Sequence, residues 1–174
     1  MMRRDKLVGG FTWLVRALRW ANWLFLAAGL LALAGTFVLA APLTAQIARK
    51  YGAAIDAGEV VVFIRLLCVA GCVAVWPVER LFAALAAMLA TIGAGDPFAT
   101  ANATRLRVVG WSMLALQVID LAMGAAMWWG KRHGVEVLDW QPSLTGWLAV
   151  LIAFVLARVF AAGAAMRDDL AGTI

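Results

Sequence analysis

Three polar residues lie within apolar runs of the sequence and have the types and spacing that could do chemistry. Gln117 and Asp120 are one helical turn apart in the run 108–129, and Arg158 is near the end of the run 144–160. A carboxylate near the middle of a bilayer costs at least about 2.5 kcal/mol unless it is neutralised or paired, and Arg158 is the natural counter-ion for Asp120. Such a cluster could relay protons or ions or hold a ligand, or it could only fix the register of the helices.

Other reactive side chains are isolated. Cys68 and Cys72 share a helical face, but their spacing suits a disulfide poorly and no metal ligand accompanies them. His133, with Glu136 and Asp139, could at most form a weak cation site, and we expect it to be solvated. No phosphate loop, nucleophile elbow, zinc motif or haem motif is present. The sequence therefore predicts no enzyme activity, no metal and no cofactor.

The elements that position these residues follow from hydropathy. Of the 174 residues, 65% are hydrophobic and 14% are charged, and the mean hydropathy is +0.90. Four runs, at about 23–43, 60–78, 108–129 and 144–160, reach the length of about 20 residues that a membrane-crossing helix needs. None alternates with period two, so helices are favoured over a barrel. We predict an all-α, integral membrane four-helix bundle that forms a single membrane domain over residues 1–174.

Basic residues predict how the chain is oriented. Ten of the 15 lysines and arginines fall in the N-terminal segment, the middle loop and the C-terminal end. The positive-inside rule therefore places both termini and the middle loop in the cytoplasm. The net charge of +5 fits contact of these segments with the lipid bilayer. The sequence has no basic stripe with interleaved aromatic residues outside the membrane flanks, so we expect no direct binding of nucleic acid.

Two further patterns extend this arrangement. Residues 7–20 predict an N-terminal interfacial amphipathic helix, which could serve as an anchor or as a lipid sensor. The second helix continues past Pro77 to about residue 92, and the third begins near residue 100, ahead of its span. Pro77 cannot donate to the carbonyl of Val73, so we expect a hinge there. The overhangs either project into the cytoplasm as a helical hairpin or lie on the headgroups.

The turn between these helices concentrates polar residues and turn signals. Gly95, Asp96 and Pro97 predict a tight turn, and Thr100 or Asn102 can cap the helix that follows. Arg105 is expected to reach the membrane boundary. We call this candidate contact surface the hairpin tip, and it comprises Gly95, Asp96, Pro97, Phe98, Asn102 and Arg105.

The last span carries small residues at four-residue spacing, which predicts close helix packing. The ladder could pack within the monomer or form the seam of a homodimer. Its members are Ala149, Ala153, Ala157, Ala161 and Ala165, and the helix is expected to continue from the span to about residue 166.

The motifs "GDPF", "RLRVVGW", "SLTGWLAVLIAFVLARVF" and "MRDDLAGTI" resemble a four-span bacterial inner-membrane family catalogued as domain of unknown function 2975. The resemblance covers the second half of the chain. Where this family often has an acidic residue after the Phe of the last span, this chain has Ala161. The resemblance implies a multi-pass protein of the bacterial inner membrane whose gene often lies beside a small Xre-type helix-turn-helix regulator. The matching positions are Gly95, Pro97, Phe98, Asn102, Arg105, Leu106, Gly110, Phe160, Gly163 and Asp169.

Two classes of function lead. An interaction or regulatory protein would dock a cytoplasmic partner, for which an Xre-type regulator is a candidate, on its cytoplasmic face. A small transporter or channel subunit would use the cluster of Gln117, Asp120 and Arg158. We expect the first.

Overall fold

The computed structural model describes residues 2–52, 56–96, 98–135 and 140–171. Five helices follow one another in these ranges, and no strand occurs in them: α1 (Met2–Val38), α2 (Ala40–Tyr51), α3 (Ala57–Gly93), α4 (Thr100–Arg132) and α5 (Leu144–Ala171). Four of the helices, α1, α3, α4 and α5, are long and apolar enough to cross a membrane. The predicted all-α fold with four candidate spans is therefore confirmed.

The contacts between these helices form two compact units. Unit 1 comprises Met1–Asn22, Pro77–Leu116 and Leu144–Ile174, and unit 2 comprises Trp23–Trp76 and Gln117–Ser143. In unit 1, Ala84, Val109 and Ala153 form a buried core. In unit 2 the buried core consists of Ile47, Val60, Val61 and Val135. The prediction of a single membrane domain stays a prediction.

The N-terminal helix differs from the expected division into an interfacial helix over 7–20 and a span over 23–43. One helix, α1, runs without a break from Met2 to Val38. The segment between the two predicted elements, 20–23, contains neither proline nor glycine, so no residue there stops the helix. Only 6% of the most apolar stretch of α1 is buried, as suits a helix whose solvent is lipid.

The break in the first apolar run falls instead at Leu39, and a separate helix, α2, follows it. Pro42 explains this position, because it has no N–H to donate to the carbonyl of Val38. Pro42 lies in the first turn of α2, where a missing donor costs nothing. Hydropathy did not reveal this break, because the alanine, leucine and proline residues around it are apolar enough to continue the predicted span.

The second span lies in α3, whose 37 residues correspond to about 55 Å of helix. Asp56 precedes it and accepts a hydrogen bond from the backbone N–H of Gly58 at 2.7 Å, which satisfies one of the free amides at the helix start. Pro77 is buried inside α3, and the helix continues through it to Gly93. The role of Pro77 as a hinge stays a prediction.

Candidate functional site

Two backbone hydrogen bonds close the end of α3 at the turn that leads to α4. The N–H of Asp96 donates to the carbonyl of Thr91 at 3.0 Å, and the N–H of Gly95 donates to that of Ile92 at 3.1 Å. This pattern is a Schellman motif, which requires a left-handed residue. Gly95 supplies it with a φ of 85°. The helix therefore stops where the sequence concentrates its turn signals.

Asn102 is the most deeply buried polar residue of the hairpin, with an exposed fraction of 0%. Its Nδ2 donates to Oγ1 of Thr91 at 3.0 Å, and the Thr91 hydroxyl donates to the carbonyl of Met88 at 2.8 Å. Nη1 of Arg105 donates to Oδ1 of Asn102 at 2.8 Å. Asn102 thus joins the last turn of α3 to the first turns of α4.

The end of α5 packs against the same turn. The rings of Phe98 and Phe160 lie 5.5 Å apart between centroids. A Cβ added to Gly163 would lie 3.2 Å from Cδ1 of Phe98, so only glycine leaves this ring its present position. Nη1 of Arg167 donates to Oδ1 of Asp96, which adds an exposed ion pair to the apolar contact.

A second close approach joins α4 to α5 further along the helices. A Cβ on Gly110 would lie 3.1 Å from the ring of Phe154. Phe154 in turn meets Trp111 edge to face, with the centroids 5.4 Å apart. The absence of a side chain at Gly110 therefore allows an aromatic residue of α5 to lie directly on α4.

The residues that carry the family resemblance thus assemble in unit 1. Phe98, Phe160 and Gly163 join the turn to α5, and Asn102 and Arg105 join the turn to α3. Leu106 is buried in α4. Pro97 lies outside the described residues. The described residues of this turn are consequently bonded to or packed against other parts of the same chain.

The predicted intramembrane residues have partners of a different kind. Nε1 of Trp140 donates to Oδ1 of Asp120 at 3.1 Å, and Nε2 of Gln117 donates to the carbonyl of Ser143 at 3.3 Å. Both bonds tie the segment just before α5 to α4 within unit 2. A Cβ on Gly124 would overlap the indole of Trp140, so the ring lies directly on the helix.

Arg158 belongs to unit 1, where it lines an open cavity with Arg107 and Trp111. Its predicted pairing with Asp120 stays a prediction. The hydrogen bonds of Asp120 and Gln117 are those of residues that fix a loop, and they favour the structural alternative for these two positions.

The alanine ladder of α5 follows the contact face only in part. Ala153 and Ala157 are buried, whereas Ala165 is exposed and Ala164 is buried in its place. A four-residue step overshoots the helical repeat by about 40°, so the ladder gradually turns off the face. Ala149 and Ala161 are half-buried. The homodimer seam stays a prediction.

Two arginine contacts were not predicted from the sequence. Nε of Arg19 in α1 donates to Oε1 of Glu79 in α3 at 2.8 Å. Arg65 donates through Nη2 to the carbonyl of Thr36 at 3.0 Å and lies over the ring of Phe37, 3.9 Å from its centroid. The signal for the second was Arg65 itself, because a lone charge inside an apolar run requires internal partners.

The isolated candidates show no reactive arrangement. Cys68 and Cys72 are free thiols, and Sγ of Cys72 lies 3.0 Å from the position of a Cβ on Gly29. His133 stacks on Trp129, with the centroids 4.1 Å apart. In the described part of the chain, no group of three His, Cys, Asp or Glu residues could hold a metal ion. Glu136 and Asp139 lie outside the described residues.

The fold and the helix lengths define a multi-pass α-helical membrane protein. Residues 44–174 match the family model described as "Protein of unknown function (DUF2975)", and the chain belongs to this family. The match includes α3 as well as the second half of the chain in which the motifs lie. No curated protein and no solved structure matches the chain.

Proposed function

We propose that this chain is an interaction protein of the bacterial inner membrane that docks a soluble cytoplasmic partner on the hairpin tip. On the predicted orientation, the turn between α3 and α4 and the end of α5 lie on the cytoplasmic side. The partner we propose is a small Xre-type helix-turn-helix regulator, the class of protein that the family resemblance implies.

The observation that carries this proposal is the combination of a rigid turn and exposed apolar side chains. The polar groups of Asn102 and Asp96 are bonded within the chain, so the turn keeps its shape without a ligand. Around it, Ile92 is 43% exposed, Phe98 46% and Met166 62%. Apolar side chains grouped around a polar turn are typical of a protein contact surface.

The test uses the regulator encoded beside the gene, purified, and the full-length protein in detergent. Ile92→Glu and Met166→Glu place a charge at exposed positions without disturbing a described hydrogen bond. Each is expected to weaken binding of the regulator more than about tenfold, because a charge in an apolar contact is desolvated without a partner. Ala48→Glu, at an exposed position of α2, is the matched control and should bind as the wild type does.

Two results would overturn the proposal. One is equal binding by both tip variants and the wild type. The other is a neighbouring gene that encodes no helix-turn-helix protein, which would remove the proposed partner.

The alternative is a small transporter or channel subunit that uses Gln117, Asp120 and Arg158. Asp120 is half-buried in α4 and retains one carboxylate oxygen beyond the one that Trp140 binds. A proton or ion flux in vesicles that is lost on replacing Asp120 by Asn would support this alternative over docking.

A further inference from the structure

An open cavity of about 260 Å³ lies between α4 and α5 in unit 1. Two arginines and two aromatic rings line it, and Ala157, which is only 2% exposed, is its fifth lining residue. The lining residues are Arg107, Trp111, Phe154, Ala157 and Arg158.

The order of these residues along the two helices separates charge from aromatic surface. Trp111 follows Arg107 by one turn in α4, and Phe154 precedes Arg158 by one turn in α5. Phe154 contacts Trp111, whereas Phe160, later in α5, contacts Phe98, which lies just before α4, so the two helices run in opposite directions. The backbone positions of the two arginines therefore lie at one level along the helix axes, and those of the two aromatic residues lie at another level about 6 Å away.

The lining of this cavity carries two positive charges, from the arginines, and no negative charge. Among the described residues, neither Arg107 nor Arg158 has a hydrogen bond or a carboxylate partner. Of the other described carboxylates of unit 1, Glu79 and Asp96 are bound to other arginines, and Asp169 lies about three turns beyond Arg158 in α5. Two like charges beside an apolar surface are stabilised by an anion, and a guanidinium fork fits the oxygens of a phosphate in two parallel hydrogen bonds.

The rest of the cavity suits an acyl chain. Trp111 is 62% exposed and extends the apolar wall away from the arginines. On the predicted spans, Arg107 lies just before the third span and Arg158 just inside the end of the fourth, so both lie at the inner membrane boundary. Basic pockets between spans at this boundary recognise anionic headgroups.

We propose that this cavity binds one anionic phospholipid, with its phosphate between Arg107 and Arg158 and an acyl chain along Trp111 and Phe154. The occupant is a lipid and not free phosphate, because an inorganic anion would leave the aromatic wall uncovered. This site is independent of the docking proposed for the hairpin tip.

Native mass spectrometry of the full-length protein in detergent, with equal amounts of phosphatidylglycerol and phosphatidylcholine added, tests the site. The first lipid bound to the wild type should be phosphatidylglycerol in preference to phosphatidylcholine. Arg107→Gln and Arg158→Gln should each weaken binding of phosphatidylglycerol at least about tenfold, the loss expected for a hydrogen bond between charged groups. Arg158→Lys keeps the charge and should retain part of the affinity.

Arg49→Gln is the matched control, since Arg49 is an exposed arginine of α2 outside the cavity and its loss changes the net charge equally. It should leave the affinity within about twofold, as a charge outside the site contributes only a general attraction. Trp111→Ala should weaken binding of phosphatidylglycerol without changing binding of inorganic phosphate, which separates the acyl contact from the anion contact.

Three results would overturn the proposal. They are equal binding of the two lipids by the wild type, equal losses in the Arg49 and cavity variants, and displacement of the lipid by inorganic phosphate with no effect of Trp111→Ala. Helical content measured by circular dichroism identifies any variant that has failed to fold. If a glutamine variant fails to fold, Arg158→Lys and the lipid preference of the wild type test the proposal instead.

Discussion

Trp140 donates its Nε1 hydrogen to Oδ1 of Asp120 over 3.1 Å, and this bond fastens the segment before α5 to the middle of α4. An acceptor at position 120, rather than its charge, is what this contact requires. A carboxamide oxygen can accept the same hydrogen. The geometry therefore separates the two roles that Asp120 could have.

The free energy of unfolding of Asp120→Asn is expected to lie within about 1 kcal/mol of the wild-type value. That of Asp120→Leu should be lower by about 1–3 kcal/mol, because the indole N–H is left without its acceptor. Thermal unfolding in detergent measures both. The loss in Asp120→Leu should largely vanish when Trp140 is also changed to Phe, since the donor is then removed as well. Equal stability of the Asn and Leu variants would mean that the bond contributes nothing.

Gly124 provides the space for this indole, and its replacement gives the second prediction. A Cβ at position 124 overlaps the body of the Trp140 ring, so Gly124→Ala should destabilise the protein by about 1–3 kcal/mol. Gly35→Ala is the control, because nothing lies within 4 Å of a Cβ there and alanine favours a helix. The two variants should shift the unfolding temperature in opposite directions; a parallel shift would contradict the overlap.

The Asn102 network gives the third prediction. Asn102→Ala leaves the Thr91 hydroxyl and the Arg105 guanidinium each without one partner, and should cost about 1–3 kcal/mol. Thr91→Val should cost a similar amount, because it removes the hydroxyl that accepts from Nδ2 of the fully buried Asn102. Thr104→Ala, an exposed neighbour in α4, should change little. Limited proteolysis at the turn gives a local readout, and cleavage as slow in Asn102→Ala as in the wild type would count against the network.

The all-helical fold and the number of candidate spans were predictable, because a run of about 20 apolar residues can satisfy its backbone in lipid only as a helix. The start of α4 at Thr100 and the end of α3 near Gly95 lie where turn residues stand in the sequence. The break at Leu39 was missed because its cause, Pro42, is hidden in an apolar segment. Helix breaks of this kind depend on one missing N–H and not on hydropathy.

The partners of the polar residues were less predictable. Asn102 has the sequence position of a helix cap, yet its side chain bonds to Thr91 across the turn, and no local rule predicts that choice. Phe98 and Gly163 are 65 residues apart in the sequence, so their contact depends on the way α5 returns to the turn. The motif residues could be identified as a set from the sequence. Only the tertiary contacts show that they pack around the same turn.

The last prediction concerns the ion pair between Arg19 and Glu79. Glu79 has a side chain that is 17% exposed, and its Oε2 is buried without a hydrogen-bond partner among the described residues. Such a carboxylate depends on its one arginine more than an exposed carboxylate would. Glu79→Gln should therefore cost about 1 kcal/mol, a value kept small because Arg19 is 42% exposed and water screens the pair.

A double-mutant cycle with Arg19→Gln measures this coupling. If the two residues stabilise each other, the double variant should be less destabilised than the sum of the two single variants. The exposed pair of Asp96 and Arg167 serves as the comparison, since both side chains are close to half exposed and their coupling should be smaller. Equal coupling in the two pairs would show that burial of Glu79 does not strengthen its bond to α1.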